Sequence, residues 1–436
     1  MRPRLLFLNR SYWPDAEASG QLLTELCEDL ASDFEITVVA GKPNQHISGI
    51  QNISGTARRS WGRERHNEVS ILRVPHVNLG KRSLWGRGLG MLTYLAGALL
   101  VGFFTPRPAA IVVETDPFLL PLIARFLQWR HRCRLIVYLQ DIYPDLAVAL
   151  GMAREGLVTR VLRRSLYSVY RSADRVIVLS DDMRQALAAC AIPDDRMIRM
   201  TNWADTSRIH PIKEQNAFRH RERLDGRFVV MYSGNMGLCQ NLDEVLNSAA
   251  RLRTRADIEF VLIGDGASRL RLEQAVADRR LSNVRFLPYQ PQSELACSLS
   301  AADVHLIPLD PRVTGYLMPC KLYGILAAGV PALVFADERS EISRVVLREG
   351  VGCVVQPGDS QRLADAISWC ADHRRELDEM GQRARQLAEL EYDRKIATGR
   401  FGRLLKDLLG FDRGNGNQSS AESGVSIGIG AGSPAM

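Results

Sequence analysis

Short apolar runs alternate with amphipathic stretches along nearly the whole chain. Residues 5–9, 36–40, 111–114, 135–139 and 175–179 read as strands, and 20–31 reads as a helix between the first two. Each of these runs is almost wholly apolar, as expected of strands covered on both faces, so the pattern predicts βαβ units and parallel sheets. Over 205–227 the chain turns polar around Pro211, which marks a linker. The series then restarts, with strands at 228–232, 259–263, 284–287, 304–307 and 332–335. Helices are expected at 242–252, 268–278, 291–300, 321–328 and 361–373, and a last one at 393–409. The segment after Phe411 is rich in Gly and Ser and carries no core-forming pattern, so it is expected to be disordered.

Two such series predict an α/β chain of two doubly wound, Rossmann-like domains facing across a cleft. The expected division is 1–204, a linker at 205–227, 228–392, a C-terminal helix at 393–411 and a tail at 412–436. Ligands of such folds sit at the carboxyl ends of the strands. A chain of 436 residues is long enough for two cores.

Charge and composition narrow this only a little. A net charge of +7 favours anionic partners. The eight cysteines include no C-x-x-C pair and no neighbouring histidine cluster, so they read as small buried residues in a reduced compartment. The apolar run at 5–8 is too short for the core of a signal peptide. Residues 88–105, GLGMLTYLAGALLVGFFT, are uncharged but fall short of a membrane span. They read as a buried helix or, given Arg58, Arg59, Arg63, Arg65, Arg73, Lys81, Arg82 and Arg87 just upstream, as a helix on an anionic membrane surface.

Two nucleotide-binding signatures fail. No strand is followed by G-x-G-x-x-G and no G-x-x-x-x-G-K-[ST] occurs, so a nicotinamide dinucleotide or P-loop enzyme is not indicated. What remains is a pair of loops in the second half. Gly234-Asn235-Met236-Gly237 follows a strand and opens toward a helix, which suits either a diphosphate on backbone amides or a plain tight turn. Lys321 opens a helix, where a cation opposes the helix dipole. Either it is a solvated lysine or an anion rests against it. Asp141 and Asp145 follow the strand at 135–139, each as a site residue or as a helix cap or turn residue.

In this order the segments resemble glycosyltransferase family 4, the retaining GT-B enzymes. The likeness runs from about Arg4 to Leu409, through YWPDAEASGQLLTELCEDLA, YLQDIYPDLAVALGM, SADRVIVLSDDMRQAL, MTNWAD, MYSGNMG, FVLIGDG, VRFLPY and MPCKLYGILAAGVPAL. It is nearest to the colanic-acid and O-antigen subgroup, similar to transferases of fucose or amino sugars. The chain also departs from the wider family. Asn235 and Gln240 stand where many members carry Arg and Lys, and Gly324 and Tyr316 stand where many carry two glutamates.

The resemblance implies transfer of a sugar from a nucleotide-diphosphate sugar to a lipid-linked glycan acceptor, polyprenyl-diphosphate in type, during exopolysaccharide, capsule or O-antigen biosynthesis. It implies no protein nucleophile, no metal or other cofactor, no nucleic acid, and a cytoplasmic position attached peripherally to the inner membrane face. Asp141 and Lys321 are the catalytic candidates. Gly234, Asn235, Gly237, Gln240, Tyr289, Pro319, Lys321 and Leu322 are expected on the donor side. Asp15, Glu17, Ser19, Gly20 and Asp145 are expected on the acceptor side. A nucleotide-sugar epimerase of the same architecture and a non-catalytic membrane-associated partner protein are the alternatives.

Overall fold

The computed structural model describes residues 2–15, 18–43, 62–77 and 84–411. The first half forms a sheet of eight strands. They are β1 (Arg4–Leu8), β2 (Glu35–Gly41), β3 (Gly62–His66), β4 (Val69–Val74), β5 (Ala110–Val113), β6 (Arg134–Tyr138), β7 (Arg175–Val178) and β8 (Met197–Arg199). Their order across the sheet is β3-β4-β2-β1-β5-β6-β7-β8. All pairings are parallel except β3 with β4.

The second half forms a wholly parallel sheet from β9 (Phe228–Ser233), β10 (Ile258–Ile263), β11 (Val284–Leu287), β12 (Val304–Pro308), β13 (Ala332–Phe335) and β14 (Gly352–Val355). Its order is β11-β10-β9-β12-β13-β14. In both sheets the central strands are buried along their length, which is why their sequences show no polar alternation. The strand order reverses between β1 and β5 in one sheet and between β9 and β12 in the other. Those two crevices are where such sheets hold ligands.

Five helices of the first half matter below: α1 (Ala18–Leu30), α2 (Leu84–Phe104), α3 (Leu120–His131), α4 (Asp145–Ala149) and α5 (Leu157–Ser172). The helix Arg394–Leu409 returns to the first half, where Arg394 pairs with Asp29 at 2.7 Å and Glu28 at 3.0 Å beside α1. The polar 205–227 stretch is not without structure, since it contains a short helix at Ala217–Arg221.

Two expectations about the apolar segment change. α2 is not buried all round: Tyr94 and Ala98 face the core while Leu92 and Leu100 face outward. Arg73 is not available to lipid, because its guanidinium is buried on Glu64 and on the carbonyls of Gly41 and Trp13. Arg58, Arg59, Lys81 and Arg82 lie outside the described residues, as do the side chain of Arg87 and the 412–436 tail. Among the described residues no helix is long and apolar enough to cross a membrane.

Candidate active site

The end of β9 bends sharply at Gly234, whose φ is +144°. Its amide donates to the Ile263 carbonyl at 3.0 Å, and the Met236 amide donates to Asp265 at 2.8 Å. The loops after β9 and β10 touch backbone to backbone, so a Cβ on Gly264 would lie 2.0 Å from the Gly234 carbonyl oxygen. Only glycine permits that approach. Two of the four amides expected to cradle a diphosphate are therefore already used within the fold, a correction to the amide-cradle expectation.

Lys321 has a different environment. It is the first residue of the helix Lys321–Ala327, and its side chain runs back beneath the β9 loop. Nζ stands 3.9 Å from the centroid of the Tyr232 ring and 3.5 Å from where a Cβ on Gly234 would be. It is buried and has no hydrogen-bond partner among the described residues. Burial pushes its pKa down to about 7. The solvated-lysine alternative does not hold. A desolvated ammonium without a counter-ion is costly to keep, and a ring face offsets only part of that cost.

Other expected donor residues surround it unevenly. The Tyr232 hydroxyl donates to the Asn235 carbonyl at 2.6 Å, which fixes the ring under Nζ. The Asn235 side chain is exposed beside Gly237. Gln240 Oε1 is buried without a hydrogen-bond partner among the described residues, 3.0 Å from where a Cβ on Gly237 would stand. Tyr289 is half exposed near Tyr232, with its hydroxyl 3.5 Å from the Asp265 carbonyl. Pro319 is buried. Leu322 is wholly buried in the core.

The first sheet brings acids to this place. Asp141 forms an isolated backbone bridge with Leu317, and the next amide, Ile142, donates to Tyr316 at 2.8 Å. The loop after β6 is thus joined to the loop that carries Lys321. Asp141 is not a helix cap, because α4 begins at Asp145 with Pro144 at its N-cap. Burial, then the nearby Asp116 carboxylate, raises the Asp141 pKa to about 6.

Asp145 does not present a free carboxylate to an acceptor. It receives Arg163 Nε at 2.8 Å and the Tyr167 hydroxyl at 2.7 Å. Asp15 is buried and accepts from the Tyr12 amide at 3.3 Å. Gly20 is buried in α1 beside Ser11, with Ser19 half exposed next to it. Glu17 lies outside the described residues.

The sequence reading missed a buried polar chain. Gln140 Nε2 donates to Glu114 Oε1 at 3.2 Å, Asn202 Nδ2 donates to Gln140 Oε1 at 3.2 Å, and the same Nδ2 lies 2.9 Å from Cys320 Sγ. The Tyr138 hydroxyl donates to Asn202 Oδ1 at 3.0 Å. The chain therefore reaches from β5 to the residue before Lys321. Glu114 is completely buried, and desolvation raises its pKa to about 8. An acid closing an all-apolar strand was the available signal. Among the described residues no group of three or more His, Cys, Asp or Glu side chains could hold a metal ion.

Both halves of the chain are similar to known proteins. Residues 19–203 match the glycosyl transferase 4-like domain, and residues 213–387 match the glycosyl transferases group 1 family. The probable glycosyltransferase WbjE of Pseudomonas aeruginosa is 28% identical over 347 residues, covering 78% of this chain and 85% of that one. The putative colanic acid biosynthesis glycosyl transferase WcaI of Escherichia coli K12 is 25% identical over 384 residues, covering 84% and 91%. Anabaena HepE, solved in complex with UDP, superposes with a TM-score of 0.69 at 15% identity, covering 93% of this chain and all of that one.

Proposed function

We propose a reaction from one premise: this chain is a glycosyltransferase and belongs to family 4, the retaining GT-B enzymes, nearest to the colanic-acid and O-antigen transferases. The reaction is transfer of a sugar from a nucleotide-diphosphate sugar to a lipid-linked glycan, in the assembly of a cell-surface polysaccharide. The polysaccharide setting is supported by the name of the Escherichia coli relative, a putative colanic acid biosynthesis glycosyl transferase. Because the relatives are described as transferases, transfer is favoured over epimerisation or a non-catalytic role.

The single observation that carries the donor assignment is the buried, unpartnered ammonium of Lys321 under the Gly234 loop. A diphosphate there supplies the missing counter-charge. As the bond from the anomeric carbon to the phosphate oxygen breaks, charge builds on that oxygen, and a pre-placed cation stabilises it where water is excluded. Lys321 does what a metal ion would otherwise do, so none is required in this reading. Gln240 Oε1, buried and unpartnered, accepts a hydrogen bond from a donor hydroxyl. Asp141 lies across the junction of the two sheets and orients the attacking hydroxyl or takes its proton as transfer proceeds. The anomeric configuration is kept because the hydroxyl enters on the face the phosphate leaves.

The test is product analysis. Purified protein is incubated with a panel of nucleotide-diphosphate sugars and a lipid-linked acceptor fraction. Transfer to the lipid, with the donor's anomeric configuration retained by NMR, is expected. Conversion of a donor to its epimer without acceptor would overturn the assignment.

A further inference from the structure

We infer that the outer face of the helix layer α2–α3–α5 docks on an anionic lipid bilayer. This deepens the lipid-linked acceptor reading above and rests on it.

The three helices lie side by side over one face of the first sheet, α2 against α3 and α3 against α5. A helix on a sheet buries one stripe, and the opposite stripe meets water and is normally polar. On α2 the opposite stripe is Leu89, Leu92, Ala96, Leu100 and Phe104, at helical spacing and with no charge among them. Exposed apolar side chains also stand on α3, where Trp129 is 68% exposed beside Phe126, and on α5, where Leu157 and Val158 are 78% and 79% exposed. Exposed apolar residues gathered on three adjacent helices mark an interaction face.

Its charge identifies the partner. None of the three helices contains an aspartate or a glutamate. Arg125 and Arg130 on α3 and Arg160 and Arg164 on α5 are all exposed around the apolar residues. The opposite side of the sheet is unlike this, since α1 carries Glu25, Glu28 and Asp29 and is covered by the helix Arg394–Leu409. A second copy of the chain is a poor occupant, because a two-fold contact would set arginines largely against arginines, and Glu155, just before α5, already pairs with Arg160 and Arg163 of its own chain. Anionic lipid phosphates meet the arginines, while the leucines, Phe104 and Trp129 enter the boundary between headgroups and acyl chains. An arginine held at such a surface improves partitioning by about fivefold.

Sedimentation with vesicles tests the face. Wild-type protein should pellet with vesicles containing phosphatidylglycerol and stay in solution with phosphatidylcholine alone. Arg125→Gln with Arg164→Gln should weaken the binding by about tenfold or more. Leu100→Ser with Trp129→Ser should weaken it comparably at high salt, where charge is screened. Affinity for a nucleoside diphosphate should be unchanged in both variants, which shows that they fold. Equal binding of variants and wild type would overturn the face. So would a lipid-free dimer that the same variants dissociate. Transfer to a lipid-linked acceptor with vesicle binding unaffected by the variants sinks the face and leaves the reaction. Vesicle binding through the face with transfer only to a soluble acceptor does the reverse.

Discussion

Asp141 and Leu317 pair backbone to backbone, although one belongs to the loop after β6 and the other to the loop that leads into Lys321. The bridge places a carboxyl from the first sheet and an ammonium from the second on two sides of one junction. Asp141 is held by its backbone, so its side chain can be changed without breaking the bridge.

Asp141→Asn should therefore leave the fold and donor affinity intact while turnover drops by roughly 100-fold or more. The Asp141 pKa is raised from 3.8 to about 6, so the folded state holds this proton more tightly than the unfolded chain. That contribution to stability is present below about pH 4 and is lost as pH rises through 6. The Asn variant should thus melt no lower than wild type at pH 7. Wild-type turnover should fall as pH drops below about 6, where the carboxylate is protonated. Steady-state rates across pH and a melting curve check both. Normal turnover in the variant would remove Asp141 from the site.

Glu114→Gln keeps an acceptor for Gln140 but removes a buried acid. The Glu114 pKa rises from 4.5 to about 8 on folding, so wild-type stability declines as pH rises across that window. The variant should gain on wild type between about pH 4.5 and 8 and keep a constant lead above. Urea midpoints at pH 5, 7 and 9 measure this. Parallel stabilities at all three would show that Glu114 ionises as an ordinary carboxyl.

Asp145 gives the opposite pattern. Its carboxylate joins Arg163 and Tyr167 in a half-buried cluster, so Asp145→Ala should cost about 1–3 kcal/mol of stability. Turnover measured well below the melting temperature should change little. Unchanged stability with a large loss of turnover would restore Asp145 to the acceptor side.

Much of this was readable in the chain, and what was not has physical causes. The central strands announce themselves because burial on both faces leaves them purely apolar. The β3–β4 edge does not: β3 reads GRERH, is partly exposed along its length and has no apolar run. Lys321 was legible as a cation at a helix start, but its isolation was not. That depends on Tyr232 and Gly234, nearly ninety residues earlier in sequence, closing over it. Arg73 looked like one more basic surface residue, while its burial on Glu64 is decided by strand pairing between β3 and β4. The Glu114–Gln140–Asn202–Cys320 chain joins four separate segments and leaves no spacing signature.

The central claim is that Lys321 waits for a phosphate, and calorimetry tests it most directly. Nucleoside diphosphates and their parent nucleosides are titrated into wild type and Lys321→Ala across pH. With a pKa of about 7 when free, Lys321 should take up a proton when the diphosphate binds at or somewhat above neutral pH. Wild-type affinity for the diphosphate should be flat below pH 7 and weaken toward tenfold per pH unit above it. Lys321→Ala should lose diphosphate affinity strongly, keep nucleoside affinity and lose the pH dependence. Equal losses for diphosphate and nucleoside, or the same pH dependence in the variant, would contradict the account.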